Sequence, residues 1–166
     1  MSTDRQVGSN AEYTRLTKDP LPLVMVDYKR GLLHSHLKQI NATHLLDRVI
    51  LPGYVPSAEM NMMYSNASIF VYPSLLESFG LPVLEAMASG VPVITSDVPA
   101  LREVGGSAAE YVDPESTSSI AAAMIGLQGN RERYEHLQVA GRERAAHFSW
   151  RRSAEKLIEV YRSALH

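Results

Sequence analysis

Short runs of apolar, often β-branched residues recur along the chain, and stretches with helical periodicity separate them. The runs predict five strands, over 23–26, 48–51, 69–72, 91–94 and 111–112. Within the runs, apolar residues follow one another rather than alternating with polar ones, which is typical of strands buried on both faces of a parallel sheet. Polar residues, Pro or Gly follow each run, so every strand has a defined end.

Helices are predicted between the first four strands and after the last one. Their ranges are 32–40, 58–65, 81–89, 116–127, 131–148 and 152–165. Gly90 stands directly after the third range, as glycines do where helices end. This alternation predicts an α/β fold with a doubly wound, Rossmann-like parallel sheet. We expect one domain over residues 1–166, in which 1–20 are less ordered and 130–166 form the C-terminal helices.

Composition and charge exclude several classes of protein. The 166 residues carry a net charge of −2, which is too balanced for a nucleic-acid-binding surface. The absence of cysteine excludes disulfides and Cys-ligated zinc. The longest apolar runs, about six residues, fall well short of the roughly 20 that span a bilayer. The first 20 residues lack the apolar stretch of a signal peptide, so we expect a cytoplasmic protein.

Basic residues are concentrated near the C-terminal end. Residues 131–166 hold eight basic and five acidic residues. The basic residues include Arg131, Arg133, Arg142, Arg144, Arg151 and Arg152. Two interpretations are open. The arginines form a solvated helical face, or they contact anionic lipid headgroups or another domain, which would make the protein membrane-associated.

The densest cluster of candidate functional residues follows the third predicted strand. Ligands of doubly wound sheets bind outside the carboxyl ends of the strands. Glu77 lies in the loop after the third strand, and Glu85 lies eight positions later in the next helix. Gly80 permits close approach of a ligand to the backbone, and Pro82 suits the first turn of a helix. The helix start predicts a bound phosphate with a carboxylate on either side.

Two glutamates at this spacing are common by chance, so the surrounding residues decide their meaning. The run ESFGLPVLEAMASGVPVI over 77–94 closely resembles the signature of the family-4 glycosyltransferases. Similarity continues in PALREVGGSAA over 99–109, in FSW over 148–150 and in LPGYVP over 51–56. The resemblance covers about residues 20–165. It implies the C-terminal, donor-binding half of the two-domain GT-B fold, from a retaining hexosyltransferase that uses nucleotide sugars in glycan biosynthesis.

The resemblance also implies roles for individual residues. Glu77 would be the catalytic residue, a nucleophile or electrostatic stabiliser near the donor sugar, where a fixed anion suits an oxocarbenium-like centre. Glu85 would accept hydrogen bonds from the ribose hydroxyls. The turn that holds the sugar and diphosphate would be Ser78, Phe79, Gly80 and Leu81. The segment that holds the base would be Tyr54 and Val55. Neither a metal nor another cofactor is implied.

The sequence also departs from the family pattern. Its first strand, and the Arg and Lys that clamp the donor phosphates, have no counterpart before Leu23. Lys29 and Arg30 either replace that pair or form a charged loop. A missing inner strand should leave a neighbouring strand with unpaired backbone and exposed apolar surface, covered by a homodimer contact or a partner strand. The N-terminal domain that binds the acceptor is also missing, so we expect poor activity without an acceptor-binding domain or chain in trans.

Other functions and smaller features leave alternatives. One alternative is a non-catalytic sugar-nucleotide-binding or scaffolding module that partners another glycosyltransferase chain. The missing strand favours this alternative, and the intact glutamate pair disfavours it. A flavodoxin-like regulatory domain is disfavoured, because Asp27 stands alone and the third strand ends at Pro73. Residues 95–97 follow the fourth strand, where they either touch the sugar or cap the next helix.

Overall fold

A computed structural model describes residues 2–164, and these form five strands, eight α-helices and one 3₁₀ helix over Thr43–Arg48. The strands are β1 (Leu23–Val26), β2 (Val49–Gly53), β3 (Phe70–Tyr72), β4 (Val93–Ser96) and β5 (Glu110–Val112). The helices are α1 (Ser2–Leu16), α2 (Arg30–Gln39), α3 (Ser57–Asn66), α4 (Leu81–Ser89), α5 (Pro99–Gly105), α6 (Thr117–Gly129), α7 (Arg131–Ala146) and α8 (Trp150–Ala164). The five predicted strands and six predicted helices are all present, and residues 165–166 of the last predicted helix lie outside the described range.

All strand pairs are parallel, which confirms the predicted class, but the described strands form two separate ladders. One joins β1 to β2, with Val24 opposite Ile50. The other has the order β3-β4-β5, with Phe70 opposite Val93 and Ile94 opposite Glu110. We call the parts of the molecule built on them the two-stranded half and the three-stranded half.

The three-stranded half is packed on both faces of its central strand. All four residues of β4 are buried. Val93 belongs to a cluster with Met87 of α4, and Ile94 belongs to a second cluster with Ile120 of α6 and Tyr13 of α1. Because successive strand residues point to opposite faces, helices cover both sides of this sheet. The doubly wound arrangement is therefore confirmed here.

The two-stranded half is covered on one face. Met25 is buried in a cluster with Leu33 and Leu37 of α2. On the opposite face Val24 is 44% exposed and Ile50 is 51% exposed. Burial on both faces was therefore a wrong prediction for these two strands. The expectation of unpaired backbone and exposed apolar surface is met by β1, which pairs with β2 alone within the part of the chain that the structure describes.

Helix α1 occupies most of the segment 1–20, which the sequence analysis expects to be less ordered. Val7 of α1 is buried in the two-stranded half and Tyr13 in the three-stranded half, so the helix joins the two. The Tyr13 hydroxyl donates to Gln128 Oε1 at 2.5 Å, and Gln6 Nε2 donates to the Val71 carbonyl at 3.0 Å. The helix is mostly polar, so hydrophobic periodicity gives little sign of this role.

The C-terminal helices resolve part of the question about the arginines. Arg133 forms an ion pair with Glu110 at 3.1 Å, and Arg144 donates to the Val104 carbonyl at 2.9 Å. These two side chains tie α7 to the three-stranded half, so a purely solvated face is wrong for them. Helix α8 buries no side chain, and Trp150 is 80% exposed. None of the helices between residues 2 and 164 has the length and apolar character needed to cross a membrane.

Candidate functional site

The loop between β3 and α4 has a backbone shape that depends on one glycine. Gly80 has φ +98°, in the left-handed region, and directly precedes α4. A Cβ at this position would lie 2.5 Å from Leu101 Cδ2, so any side chain would both strain the backbone and clash. The Gly80 carbonyl then accepts from the Val83 amide at 3.0 Å, and Pro82 occupies the first turn, where it needs no donor.

Glu77 binds the amides of its own loop. Its Oε1 accepts from the amide of Ser78 at 3.0 Å and, more weakly, from that of Phe79 at 3.4 Å. Its Oε2 accepts from the Tyr72 hydroxyl at 2.7 Å. The Tyr72 hydrogen bond, followed by the amide bonds, lowers the pKa of Glu77 below the ordinary value for a glutamate. The carboxylate is therefore an anion, and it accepts hydrogen bonds from backbone amides that the sequence analysis predicts to be free for a phosphate. That prediction is corrected for these two amides.

Glu85 lies one turn inside α4 and has a tyrosine partner of its own. The Tyr64 hydroxyl of α3 donates to Glu85 Oε2 at 3.1 Å. Tyr64 is only 5% exposed, and burial, followed by the charge of Glu85, raises the pKa of its hydroxyl. Glu85 is itself exposed, and its Oε1 has no hydrogen-bond partner among the described residues. One carboxylate oxygen is thus fixed and the other is open to a ligand.

Three aromatic rings connect the supports of the two glutamates. Phe70 of β3 lies edge-to-face with Tyr64, with ring centroids 5.3 Å apart. It stacks on Tyr72 with centroids 5.9 Å apart. We call Tyr64, Phe70 and Tyr72 the aromatic ladder. The sequence analysis did not single out either tyrosine, although Tyr72 is the last residue of β3 and the carboxyl end of a strand is where site residues are expected.

The remaining residues of the predicted turn are at the surface. Ser78, Phe79 and Leu81 are exposed, and the Phe79 ring contacts Phe148 edge-to-face at a centroid distance of 6.0 Å. The Phe79 side chain therefore packs toward the C-terminal helices, while its backbone faces Glu77. Two amides of the turn, those of Ser78 and Phe79, are satisfied by Glu77, and the binding role of the turn stays a prediction.

Tyr54 and Val55 are placed beyond the end of β2. Tyr54 is 76% exposed. No hydrogen bond or ring contact within residues 2–164 joins either of them to Glu77 or Glu85, and their part in the site stays a prediction. Gly53, with φ +79°, turns the chain just before them.

Basic groups lie near the carboxyl ends of strands in both halves. Lys29 precedes α2, and Arg30 lines a cavity of about 280 Å³ between α2, the 3₁₀ helix and β2. A role for this pair in binding phosphate stays a prediction. Arg5 of α1, which the sequence analysis did not single out, has a buried Nη1 without a hydrogen-bond partner. Its Nη2 lies 3.9 Å from Glu115, which follows β5, so α1 brings a cation to the carboxyl edge of the three-stranded half.

Thr95 at the end of β4 and Asp97 just after it make hydrogen bonds within the fold. Thr95 donates to the Tyr72 carbonyl at 3.0 Å, and Asp97 forms a two-pronged ion pair with Arg102 at 2.5 and 2.8 Å. The N-cap residue of α5 is Val98, without a side-chain cap, so the capping interpretation is wrong. In the described part of the chain, no three His, Asp or Glu side chains converge as they would around a metal ion.

Comparison with known proteins identifies the family. Residues 11–144 match the family model described as glycosyl transferases group 1. The chain belongs to this family. It is 41% identical over 111 residues to O-antigen chain mannosyltransferase B of Escherichia coli, covering 66% of this chain and 29% of that protein. It is 32% identical over 124 residues to O-antigen chain mannosyltransferase RfbU of Salmonella typhimurium, covering 75% and 35%. The chain thus spans about a third of these relatives.

Solved structures of glycosyltransferases share the fold. Sucrose-phosphate synthase from Thermosynechococcus elongatus superposes with a TM-score of 0.80 at 24% identity, over 98% of this chain and 43% of that one. The C-terminal domain of a glycosyl transferase group 1 protein from Francisella tularensis gives 0.72 at 23% identity, over 87% and 77%. The resemblance to family-4 enzymes and to the C-terminal half of a GT-B fold is therefore confirmed.

Proposed function

We propose that this chain is the donor-binding half of a retaining glycosyltransferase and binds a nucleoside-diphosphate sugar at the β3–α4 loop. The observation that carries the proposal is the placement of Glu77 and Glu85 at the start of α4, each held by a tyrosine. The names of relatives support transfer of a mannosyl group or another hexosyl group. The acceptor is a carbohydrate or a lipid-linked glycan, bound by a separate domain or chain.

Glu85 suits the ribose of the donor. Its free oxygen can accept hydrogen bonds from two vicinal hydroxyls, and the Tyr64 bond keeps the carboxylate from rotating away. Glu77 lies eight residues earlier, at the turn, where the resemblance puts the sugar. A fixed anion there stabilises the positive charge that develops at the anomeric carbon.

The diphosphate must be bound at a turn whose amides Glu77 partly occupies. The α4 start still offers the positive end of the helix dipole, which favours a phosphate without a metal ion. We therefore propose metal-independent binding, in which the diphosphate meets the helix start beside the Glu77 carboxylate. Donor affinity should then be the same with and without a chelator such as EDTA.

A second candidate, a non-catalytic sugar-nucleotide-binding module, is favoured by the three hydrogen bonds that Glu77 makes within the chain. A carboxylate engaged in this way is less available as a nucleophile. Slow hydrolysis of the bound donor separates the two candidates. If the unaltered chain hydrolyses the donor and the Glu77→Gln variant does not, the result supports catalysis. If the unaltered chain and the variant hydrolyse it equally, the result supports a binding module.

Calorimetric titration with UDP-, GDP- and ADP-sugars tests the proposal directly. We expect saturable binding of one nucleotide class and a loss of about tenfold or more in affinity in Glu85→Ala, since one charged hydrogen-bond acceptor is removed. Glu132→Ala is the matched control, because Glu132 is also an exposed glutamate on a helix. It lies at the start of α7, whose first turn contacts the amino ends of the strands through Arg133 and Tyr134, away from the carboxyl ends. Absence of binding by every donor at millimolar concentration would reject the proposed function.

A further inference from the structure

We propose that Tyr72 and Tyr64 are positioning residues that fix the orientation of Glu77 and Glu85 toward the donor. This inference rests on the proposed function, and it assigns a role to two residues that neither the glutamate spacing nor the family match assigns. Each tyrosine hydroxyl donates to the Oε2 atom of its glutamate, at 2.7 Å for Glu77 and 3.1 Å for Glu85. The second oxygen of Glu77 accepts from the amides of its own loop, whereas the second oxygen of Glu85 is open to a ligand.

Tyr72 is held firmly on the backbone side. It is the last residue of β3, paired with Thr95 of β4, and its carbonyl accepts from the Thr95 hydroxyl at 3.0 Å. Burial and the bond to Glu77 raise the pKa of Tyr72 to about 12, so its hydroxyl remains a donor at neutral pH. A strand residue with fixed backbone thus restrains a carboxylate that lies in a loop, where side chains otherwise move.

Tyr64 restrains Glu85 from a different element. It is the one buried residue of α3, and its ring lies in the cluster that contains Leu84 and Ala86 of α4. The neighbours of Glu85 on α4 therefore belong to the same buried cluster as the ring whose hydroxyl holds its carboxylate. The ring sets the spacing between α3 and α4, and the hydroxyl sets the direction of Glu85.

Phe70 gives the two tyrosines a common support. Its edge-to-face contact with Tyr64 and its stacking on Tyr72 make the aromatic ladder a continuous series of ring contacts from α3 to the end of β3. A change at Phe70 should therefore disturb both glutamates, whereas loss of one hydroxyl should disturb one. This difference distinguishes positioning from general packing.

The experiment uses the full chain and phenylalanine variants, which keep each ring and remove only the hydroxyl. Carboxyl pKa values are measured by ¹³C NMR, and affinities for the nucleoside diphosphate and for its sugar conjugate are measured by calorimetry. We expect Tyr72→Phe to raise the pKa of Glu77 and to weaken binding of the sugar conjugate about tenfold, with the affinity for the nucleoside diphosphate unchanged. We expect Tyr64→Phe to weaken binding of both ligands to a similar extent.

Tyr134→Phe is the matched control. Its hydroxyl also donates a hydrogen bond, to the Ser68 carbonyl at 2.8 Å, but this bond is exposed and lies at the amino end of β3. This variant should lose comparable stability and leave both affinities unchanged. Phe70→Leu should weaken binding of both ligands and should also raise the pKa of Glu77.

The outcomes separate the two proposals. If the unaltered chain binds no donor, the proposed function fails and the positioning role fails with it. If the unaltered chain binds a donor and both tyrosine variants bind it as Tyr134→Phe does, the positioning role alone is overturned. An unchanged pKa of Glu77 in Tyr72→Phe also overturns it, whatever the affinities are.

Discussion

The two halves of the molecule are built from similar apolar runs but hold them in different surroundings. In the three-stranded half every residue of β4 is buried, whereas in β1 of the two-stranded half Met25 alone is buried. The runs that predict these strands, 23–26 and 91–94, are both apolar in the sequence. The difference shows that a run of apolar residues predicts a strand, while its burial depends on which helices and neighbouring strands are present to cover it.

The candidate chemistry lies on the better-packed half. The loop with Glu77 and the helix with Glu85 both follow β3, and Met87 of α4 is fully buried against the sheet. Precise placement of a carboxylate requires a backbone that does not move, which a densely packed sheet provides. Tyr54 and Val55, at the end of β2, belong to the half with less cover.

The largest expected effect is the loss of stability when one isoleucine in each half is truncated to alanine. Ile94→Ala in β4 should cost about 4 kcal/mol of the free energy of unfolding, because it removes a fully buried side chain and leaves a cavity. Ile50→Ala in β2 should cost about 0.5 kcal/mol or less, because half of that side chain is already in water. Urea denaturation followed by circular dichroism measures both values. Equal losses would show that the two halves are packed alike.

A second comparison uses two glycines with positive φ. Gly80→Ala should cost about 3 kcal/mol, through backbone strain and the clash with Leu101. Gly53→Ala has φ +79° but nothing within 4 Å of the new Cβ, so strain alone should cost about 1 kcal/mol. Thermal denaturation of both variants checks this order. Donor titration should show lost affinity in Gly80→Ala even at temperatures where the variant is folded.

The exposed face of the two-stranded half gives a third, smaller effect. Val24 and Ile50 lie opposite each other and are both exposed, and β1 has a free edge in the described chain. We expect reversible association in sedimentation, and Val24→Glu should shift the chain to a monomer while changing stability by about 0.5 kcal/mol or less. A monomer across a wide range of concentrations in the unaltered chain contradicts this expectation.

The smallest effect is on the pH dependence of the site. The lowered pKa of Glu77 means that the folded chain favours the ionised form, so this stabilisation is present above the ordinary glutamate pKa and is lost as the pH falls through the lowered value. The raised pKa of Tyr72 acts in the opposite range, since its stabilisation is lost as the pH rises from 10 toward about 12. Unfolding measured over pH should lose the acid effect in Glu77→Gln and the alkaline effect in Tyr72→Phe. An acid limb unchanged in Glu77→Gln would show that its hydrogen bonds are not formed.

The sequence predicts the elements of this fold better than their arrangement. The strand at 91–94 was placed two residues early, because the apolar run includes Val91 and Pro92, whereas the described strand begins at Val93. The role of α1 could not be predicted, since Ser9 and Asn10 are polar and are buried through contacts with distant elements.

Prediction of the site was similarly uneven. Glu77, Gly80 and Glu85 could be found because their spacing is local and the motif is specific. The hydrogen bonds from Tyr64 and Tyr72 could not, because they depend on how α3 and β3 lie beside α4. The hydrogen bonds from the Ser78 and Phe79 amides to Glu77 depend on the rotamer of the Glu77 side chain. A pattern of residues does not predict a rotamer.

The hydrogen bonds of Glu77 to its own loop also bear on how quickly a ligand can be captured. A loop that already has its amides satisfied keeps its bound shape in the empty chain, so little chain entropy is lost when a ligand arrives. Association should then proceed at the rate of diffusional encounter and should show a single kinetic phase in stopped-flow fluorescence. When the ligand leaves, the loop keeps the shape that its own hydrogen bonds give it, and it is ready for the next encounter.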